Sequence, residues 1–395
     1  MSAQANGGVG RRLAYYRSVM RPKMTQRQLA DAACVALGTI RKIERGERGV
    51  SDATLEALAA ALGIDPSRLR ADRDPAHSRV HEAMPALSAA IAAYDLPDDG
   101  PTRPVHELRT AVADAAHWRL AAQYTRIVRE LPSLLAELAR AYHDAPAHTR
   151  HEPAALLVTA YRAADAVAFK FGAHDLSARL IELMRWATPD ADDPLLTASV
   201  AYVRTETFFA ARAHASGLRA LEQAIDSAPA ANAAPAVAAR GTLHMRAAVI
   251  AGRARNSTAA ESHLDAARAL ADRVPESIYH GTAFGPDSVR IHEVSVAVSL
   301  GDDHVGRALA VARDWQPPTD LPAERRSGYY IELARAQLWS GLTDHAFESL
   351  KAARRIAPQH TREHPWVRED AATLRRLKRA DSETLTNFAE WCAAN

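Results

Sequence analysis

Thr25-Gln26-Arg27-Gln28-Leu29-Ala30-Asp31-Ala32-Ala33-Cys34-Val35-Ala36-Leu37-Gly38-Thr39-Ile40-Arg41-Lys42-Ile43-Glu44-Arg45-Gly46 reads as two short helices around a tight turn. Thr25 is an N-cap and Gln28, three residues on, completes a T-x-x-Q capping box. Leu29, Ala30 and Ala33 then make a short apolar face, and Cys34-Val35-Ala36 forms the turn. The second helix, over 37–45, puts Ile40 and Ile43 inward and Arg41, Lys42 and Arg45 outward until Gly46 stops it. Downstream, Ser51 caps a further helix with Leu55, Leu58, Ala59 and Leu62 at helical spacing, closed by Gly63-Ile64-Asp65-Pro66.

Charge is concentrated in the same region. Residues 10–48 carry ten Arg or Lys against Asp31, Glu44 and Glu47, an excess of seven positive charges in a chain whose net charge is +2. A basic head on a mildly acidic body is the electrostatic footprint of a nucleic-acid binder. A solvated basic face would carry the same charge; the helix pattern separates the two readings.

Two short helices around a three-residue turn, the second one basic, form a helix-turn-helix. The residues Thr25-Gln26, Leu29-Ala30, Val35, Thr39-Ile40, Ile43-Glu44-Arg45-Gly46, Leu55, Leu58-Ala59 and Leu62-Gly63-Ile64 resemble the lambda-repressor/Cro, or xenobiotic-response-element, family of DNA-binding domains. The resemblance covers residues 10–70. It implies that Gln26 donates to a DNA phosphate and that Ala36, Leu37, Gly38, Arg41 and Lys42 lie on the helix face that meets base edges. With Arg27, Thr39, Arg45 and Arg48 they make the candidate DNA-contacting set. Glu44 resembles the family's buried glutamate, whose expected partner is Arg17. Cys34 departs from the pattern, standing where the family has a turn glycine, and two extra residues lie around Pro22. Leu37 and Gly38 offer no hydrogen bond, so readout rests on a thymine-methyl contact by Leu37, guanine contacts by Arg41 or Lys42, and phosphate and shape terms.

Residues 71–104 are rich in Ala, Asp and Pro and read as a linker, with a helix over 80–94. From Val105 onward helix follows helix, with no period-two segment and hence no sheet expected. Tyr330, Leu333, Ala334, Gly341, Ala346, Leu350, Ala353 and Pro358 are spaced identically to Tyr161, Ala164, Asp165, Gly172, Ser177, Ile181, Met184 and Pro189, with Asp165 the one misfit. His244, Ala247, Ala248, Arg255, Ala260, Leu264 and Ala267 give a weaker copy; Thr205, Gly217, Leu221, Ala224 and Val294, Gly301, Gly306, Ala310 hint at two more. In this pattern a large residue starts helix A, small residues let helix B approach, glycine ends A and proline ends B. It is similar to the tetratricopeptide repeat, although the copies begin about 40–46 residues apart. A generic α-bundle with Ala-rich contacts is the other architecture compatible with it.

The resulting organisation is all-α: a disordered tail over 1–9, a helix-turn-helix domain over 10–70, a linker over 71–104, a tetratricopeptide-like array over 105–378 and a capping helix over 379–395. Composition agrees, with 86 alanines, 48% hydrophobic residues and 6% aromatics in 395 residues. Two cysteines 358 residues apart exclude a disulfide framework and a cysteine-based metal site. Residues 1–10 lack a signal-peptide pattern, and no apolar run reaches the roughly 18–20 residues that cross a bilayer, so a cytoplasmic, nucleoid-associated protein is expected. No G-x-S-x-G, H-E-x-x-H or Walker loop occurs; His143, His148 and His151 cluster around Pro146 without i, i+4 spacing. No enzyme, metal or cofactor is expected.

A repressor-like head with a helical-repeat body resembles two groups, the peptide-sensing regulators of Gram-positive bacteria and the helical-repeat regulators of actinobacteria. Tyr279-His280-Gly281-Thr282-Ala283-Phe284-Gly285-Pro286, His292 and Leu300-Gly301-Asp302 resemble the latter. Peptide sensors clamp backbones with asparagines, and only Asn232 and Asn256 fall within the array. The resemblance implies a homodimer on near-palindromic double-stranded DNA, held by the array or by helices over 365–394, with a small-molecule or peptide effector. Arg162, Lys170, Tyr202, Glu206, Arg253, Arg335 and Trp339, projected from successive A helices, are the candidate effector groove. The alternative is a protein-interaction scaffold that its head tethers to DNA.

Overall fold

The structure, a computed structural model, describes residues 3–20, 23–64, 69, 75–377 and 383–394. The chain divides between Ser78 and Arg79 into two compact units.

The head contains α1 (Ala3–Val19), α2 (Gln26–Ala32), α3 (Leu37–Glu44) and α4 (Asp52–Ala61). The capping box forms: the Gln28 amide donates to Thr25 Oγ1 at 3.2 Å and the Thr25 amide to Gln28 Oε1 at 2.8 Å. At the turn Cys34 takes φ +53°, the left-handed conformation for which a glycine is ordinarily chosen. Leu13, Leu29, Ile40, Ile43, Leu58, Leu62 and Leu69 close one small core. α1 crosses α3 at Gly10, where a Cβ would stand 2.1 Å from the Ile43 carbonyl oxygen. The tail expected over 1–9 is corrected: α1 begins at Ala3. The two extra residues placed around Pro22 lie outside the described residues.

The second unit runs through α5 (Pro75–Ala92), α6 (Val105–Leu120), α7 (Tyr124–Asp144), α8 (His151–Lys170), α9 (His174–Ala191), α10 (Pro194–Ala210), α11 (His214–Ser227), α12 (Ala234–Arg253) and α13 (Ser257–Ala271). A hairpin of β1 (Ser277–Tyr279) and β2 (Thr282–Phe284) follows, then α14 (Pro286–Leu300), α15 (Val305–Asp314), α16 (Ala323–Trp339), α17 (Thr343–Ile356), α18 (Pro358–Glu363), α19 (Pro365–Leu377) and α20 (Glu383–Trp391). All five sequence copies are A/B pairs: α8–α9, α10–α11, α12–α13, α14–α15 and α16–α17. Gly172 and Gly341, both at φ +76°, end the A helices α8 and α16 as the pattern requires. The small residues Ser177, Ala260 and Ala346 are buried where B approaches A.

Four expectations change. The linker shortens: its expected helix is α5, which begins at Pro75 and buries Val80, Leu87 and Ile91 in the array's core, so the array unit starts near residue 79 and the irregular stretch is 93–104. The chain is not free of strand, because β1 and β2 pair antiparallel with Ser277 opposite Phe284 and Tyr279 opposite Thr282. Three residues per strand are too few for an alternating pattern to stand out. Pro189 lies inside α9 rather than ending it, and Asp192 at φ +48° caps that helix. Gly306 is exposed and nothing approaches it; Ala308 is the buried residue, because a 3-10 turn over Asp302–His304 delays α15.

Candidate nucleic-acid interface and effector chamber

On the head, burial of Ile40 and Ile43 leaves the opposite side of α3 to solvent. Ala36, Gly38, Arg41, Lys42, Arg45 and Arg48 are exposed there, with Leu37 and Thr39 half-buried. Arg41 and Lys42 have no ion-pair partner among the described residues. Arg45 pairs with Glu47 at 2.7 Å, and Arg48 donates to Thr39 Oγ1 at 3.3 Å. Arg27 is exposed on α2. Gln26 opens α2, yet its Nε2 donates to Glu44 Oε2 at 2.6 Å, so one of its two N–H groups is free for a phosphate. Glu44 also receives Arg17 Nε at 2.8 Å and Nη2 at 3.1 Å, tying the ends of α1, α2 and α3 to one carboxylate. The face that remains is a basic helix with small residues at its leading end, shaped to enter a groove.

In the second unit the A helices converge on a chamber of about 200 Å³. Its walls hold five cations (Arg119, Arg162, Lys170, Arg246, Arg325) and four carboxyls (Asp165, Glu206, Glu324, Glu332), with Tyr202, His292 and His360 among them. This density of ionisable groups in a protein interior is costly unless each is bonded. Lys170 pairs with Glu324 at 3.2 Å and lies 3.1 Å from His360 Nε2. Arg325 donates to the Tyr202 hydroxyl at 2.9 Å and approaches His292 Nε2 at 3.3 Å, whose Nδ1 bonds the Ser288 carbonyl at 2.8 Å. Arg246 donates to Thr205 Oγ1 at 2.7 Å and pairs with Glu206 at 3.4 Å. Ser177 donates to Asp165 at 2.6 Å.

The low dielectric displaces the titrations. Burial pushes the Tyr202 phenol up, but Arg325, Arg246 and Arg162 together bring it down to about 8. Burial likewise opposes the charge on Glu324, yet Lys170, His360, Arg119 and Arg325 hold it down to about 2. Burial, then the cation beside each, drives His292 and His360 down to about 3, so both are neutral. Burial and then Glu206 push the Asp165 carboxyl well up. Burial pulls Arg162 down to about 9, with repulsion from Arg119 adding to it.

Residues 21–69 match the family described as helix-turn-helix. The head is a helix-turn-helix domain of the lambda-repressor type. Among solved structures, that of Bacillus thuringiensis PlcR in complex with the peptide PapR7 and DNA is similar at 14% identity over 68% of this chain and 95% of that chain, with a TM-score of 0.30. No curated protein matches the chain.

Of the seven residues projected onto the groove, Arg162, Lys170, Tyr202 and Glu206 line the chamber. Arg253, Arg335 and Trp339 do not, because neighbouring groups hold them elsewhere. Arg335 pairs with Asp370 at 2.9 Å and Glu369 at 2.5 Å, and its guanidinium lies 4.4 Å from the centre of the Trp366 ring. Arg253 lies 4.5 Å from the same ring and donates to Ser299 Oγ. Trp339 is 43% exposed. Arg119, Arg246, Glu324, Arg325 and Glu332 are chamber residues that the repeat projection misses. The misfit at Asp165 was the signal available: a carboxyl where the repeat wants a small apolar residue, bonded to the small residue of the facing helix. The helix-turn-helix head needed no such signal, since its candidate contacts all fall on α2, α3 and the residues that flank α3.

Proposed function

We propose that the protein is a cytoplasmic transcriptional regulator that binds a near-palindromic DNA site as a homodimer and answers to an effector held in the chamber of its array. One observation carries the DNA-binding half. α3 is anchored by buried Ile40 and Ile43 and turns Arg41 and Lys42 outward, without partners among the described residues, from a helix-turn-helix. Such a helix lies in the major groove, with arginine or lysine reaching guanine N7 and O6. The chamber supports the sensing half: its polar side chains are buried and convergent, an arrangement suited to a small ligand rather than to a protein surface. Two heads on half-sites about 34 Å apart require a dimer, and the array is the larger surface to supply it. Selection of bound duplexes from a random pool by the full-length protein tests this reading. A palindromic consensus bound with a steep salt dependence is expected; recovery of no consensus sinks it.

A further inference from the structure

Arg119 and Arg162 are 92% and 91% buried and stand side by side at the tip of the β1–β2 hairpin, where a Cβ on Gly281 would lie 3.2 Å from the one guanidinium and 3.1 Å from the other. Neither has a carboxylate partner among the described residues. Arg162 donates only to neutral oxygens: Ser199 Oγ at 2.7 Å, the His280 carbonyl at 2.6 Å and Thr282 Oγ1 at 2.5 Å. The Arg119 guanidinium makes one hydrogen bond among the described residues, to the Gly281 carbonyl, out of five N–H groups. Two adjacent buried guanidiniums with no carboxylate in hydrogen-bond contact among the described residues repel each other and are costly to desolvate, although Glu324 and Glu206 act on them across the first chamber. Both also line a second cavity, of about 390 Å³, on whose walls stand Ala116, Val158, Met184, Leu196 and Val200. That volume falls in the range of small-molecule sites.

We infer that this second cavity binds an amphipathic organic acid, its carboxylate on Arg119 and Arg162 and its hydrocarbon body among the apolar side chains. The carboxylate supplies the counter-ion in direct contact that the two guanidiniums lack and accepts the free N–H groups of Arg119 through charge-assisted bonds. The apolar wall takes the body, and a phosphate or a small hydrophilic acid leaves that wall unfilled. The inference rests on the reading of the array as a sensor, and its test separates the two.

Titration calorimetry of the full-length protein with hexanoate, octanoate and decanoate, against octanol, acetate and inorganic phosphate, reads the site directly. One equivalent of acid should bind, tightening about fourfold for each added methylene until the cavity is full. Octanol, acetate and phosphate should each bind at least about tenfold more weakly than octanoate. Arg119→Gln should weaken octanoate by about tenfold or more and leave octanol unchanged. Ala116→Phe, which keeps both charges and narrows the cavity, should weaken both, and it serves if Arg119→Gln does not fold. Absence of binding at every chain length, equal binding of octanol and octanoate, or folded variants that bind octanoate like wild type would each overturn the site. Affinity for the selected DNA duplex is then measured with and without decanoate. Acid binding with unchanged DNA affinity leaves the site standing and detaches it from the sensor reading; a DNA response to another compound with no acid binding defeats the site alone.

Discussion

Arg17 and Glu44 form a two-point ion pair, Nε to Oε1 at 2.8 Å and Nη2 to Oε2 at 3.1 Å, that joins the first helix of the head to the recognition helix. Their side chains are 16% and 8% exposed, so removing one partner strands the other with little water to replace it. Glu44→Ala should cost the head about 2–3 kcal/mol, below the full cost of a deeply buried pair. All six tryptophans lie beyond residue 100, so the tryptophan fluorescence transition in denaturant should stay in place while an early circular-dichroism transition moves down. A wild-type early transition would refute the role assigned to the pair.

Arg41 and Lys42 carry the DNA prediction. Replacing either by alanine should cost about 1–3 kcal/mol on the selected site if the side chain reads a base, and should relax preference at one position. A lysine or arginine that only touches phosphate would instead weaken all sequences alike and reduce the salt slope by about one. Gel-shift titrations on selected and random duplexes at several salt concentrations distinguish these outcomes. Wild-type affinity in both variants on both duplexes would mean that this face of α3 does not meet DNA.

Tyr202 should ionise at about pH 8, below the ordinary 10.0 of a tyrosine, because three arginines surround its phenol. Ultraviolet difference spectra across pH 6–11 should show a single early phenolate step, absent in Tyr202→Phe. Arg325→Gln, which removes the hydrogen bond to the hydroxyl, should move the step to higher pH. An early step that survives in Tyr202→Phe belongs to another residue.

His292 and His360 make the array acid-sensitive. Both are held neutral in the fold, at about 3 against an ordinary 6.5, so the unfolded chain binds more protons between those values. Stability is therefore complete above about pH 6.5 and falls as pH drops, by up to about 1.4 kcal/mol per pH unit for each histidine. Denaturant melts at pH 7, 6 and 5 should show this decline, and His292→Gln should flatten part of it. A decline between pH 7 and 5 that is the same in His292→Gln as in wild type would mean that this imidazole is not held neutral in the fold.

Gly241 of α12 admits the ring of Phe284 from the hairpin; a Cβ there would stand 1.9 Å from Phe284 Cζ. Gly241→Ala should destabilise the array by about 1–3 kcal/mol through overpacking. In Phe284→Ala the ring is gone, and the same alanine should be tolerated at a fraction of that cost. A double-mutant cycle by thermal melting measures the difference; additivity would show that the two residues do not share the space.

The head was legible almost residue by residue. Its signals are local: a capping box within four residues, a turn of three, an apolar face of 3–4 spacing and a glycine stop, each acting over one turn of helix. The A/B pairs were legible for a related reason, since Tyr161 and Tyr330, Gly172 and Gly341, Ser177 and Ala346 repeat one local geometry. The hairpin was not, because three residues per strand give no period and its hold comes from Arg119, Arg162 and Gly241, contributed by α6, α8 and α12.

By itself, then, the sequence determined the helices of the helix-turn-helix, the five A/B pairs, where the positive charge lies and which face of α3 is free, because each follows from neighbours a few residues apart. Only the tertiary structure decided where the ionisable side chains of the A helices meet. Arg119, Arg162, Tyr202, Arg246 and Arg325 come from α6, α8, α10, α12 and α16, spread over about 200 residues, and line one chamber because successive pairs stack. The same stacking carried Arg253 and Arg335 away to Trp366, since a guanidinium settles on the acid or aromatic ring that packing brings nearest, and no spacing along the chain encodes that neighbour.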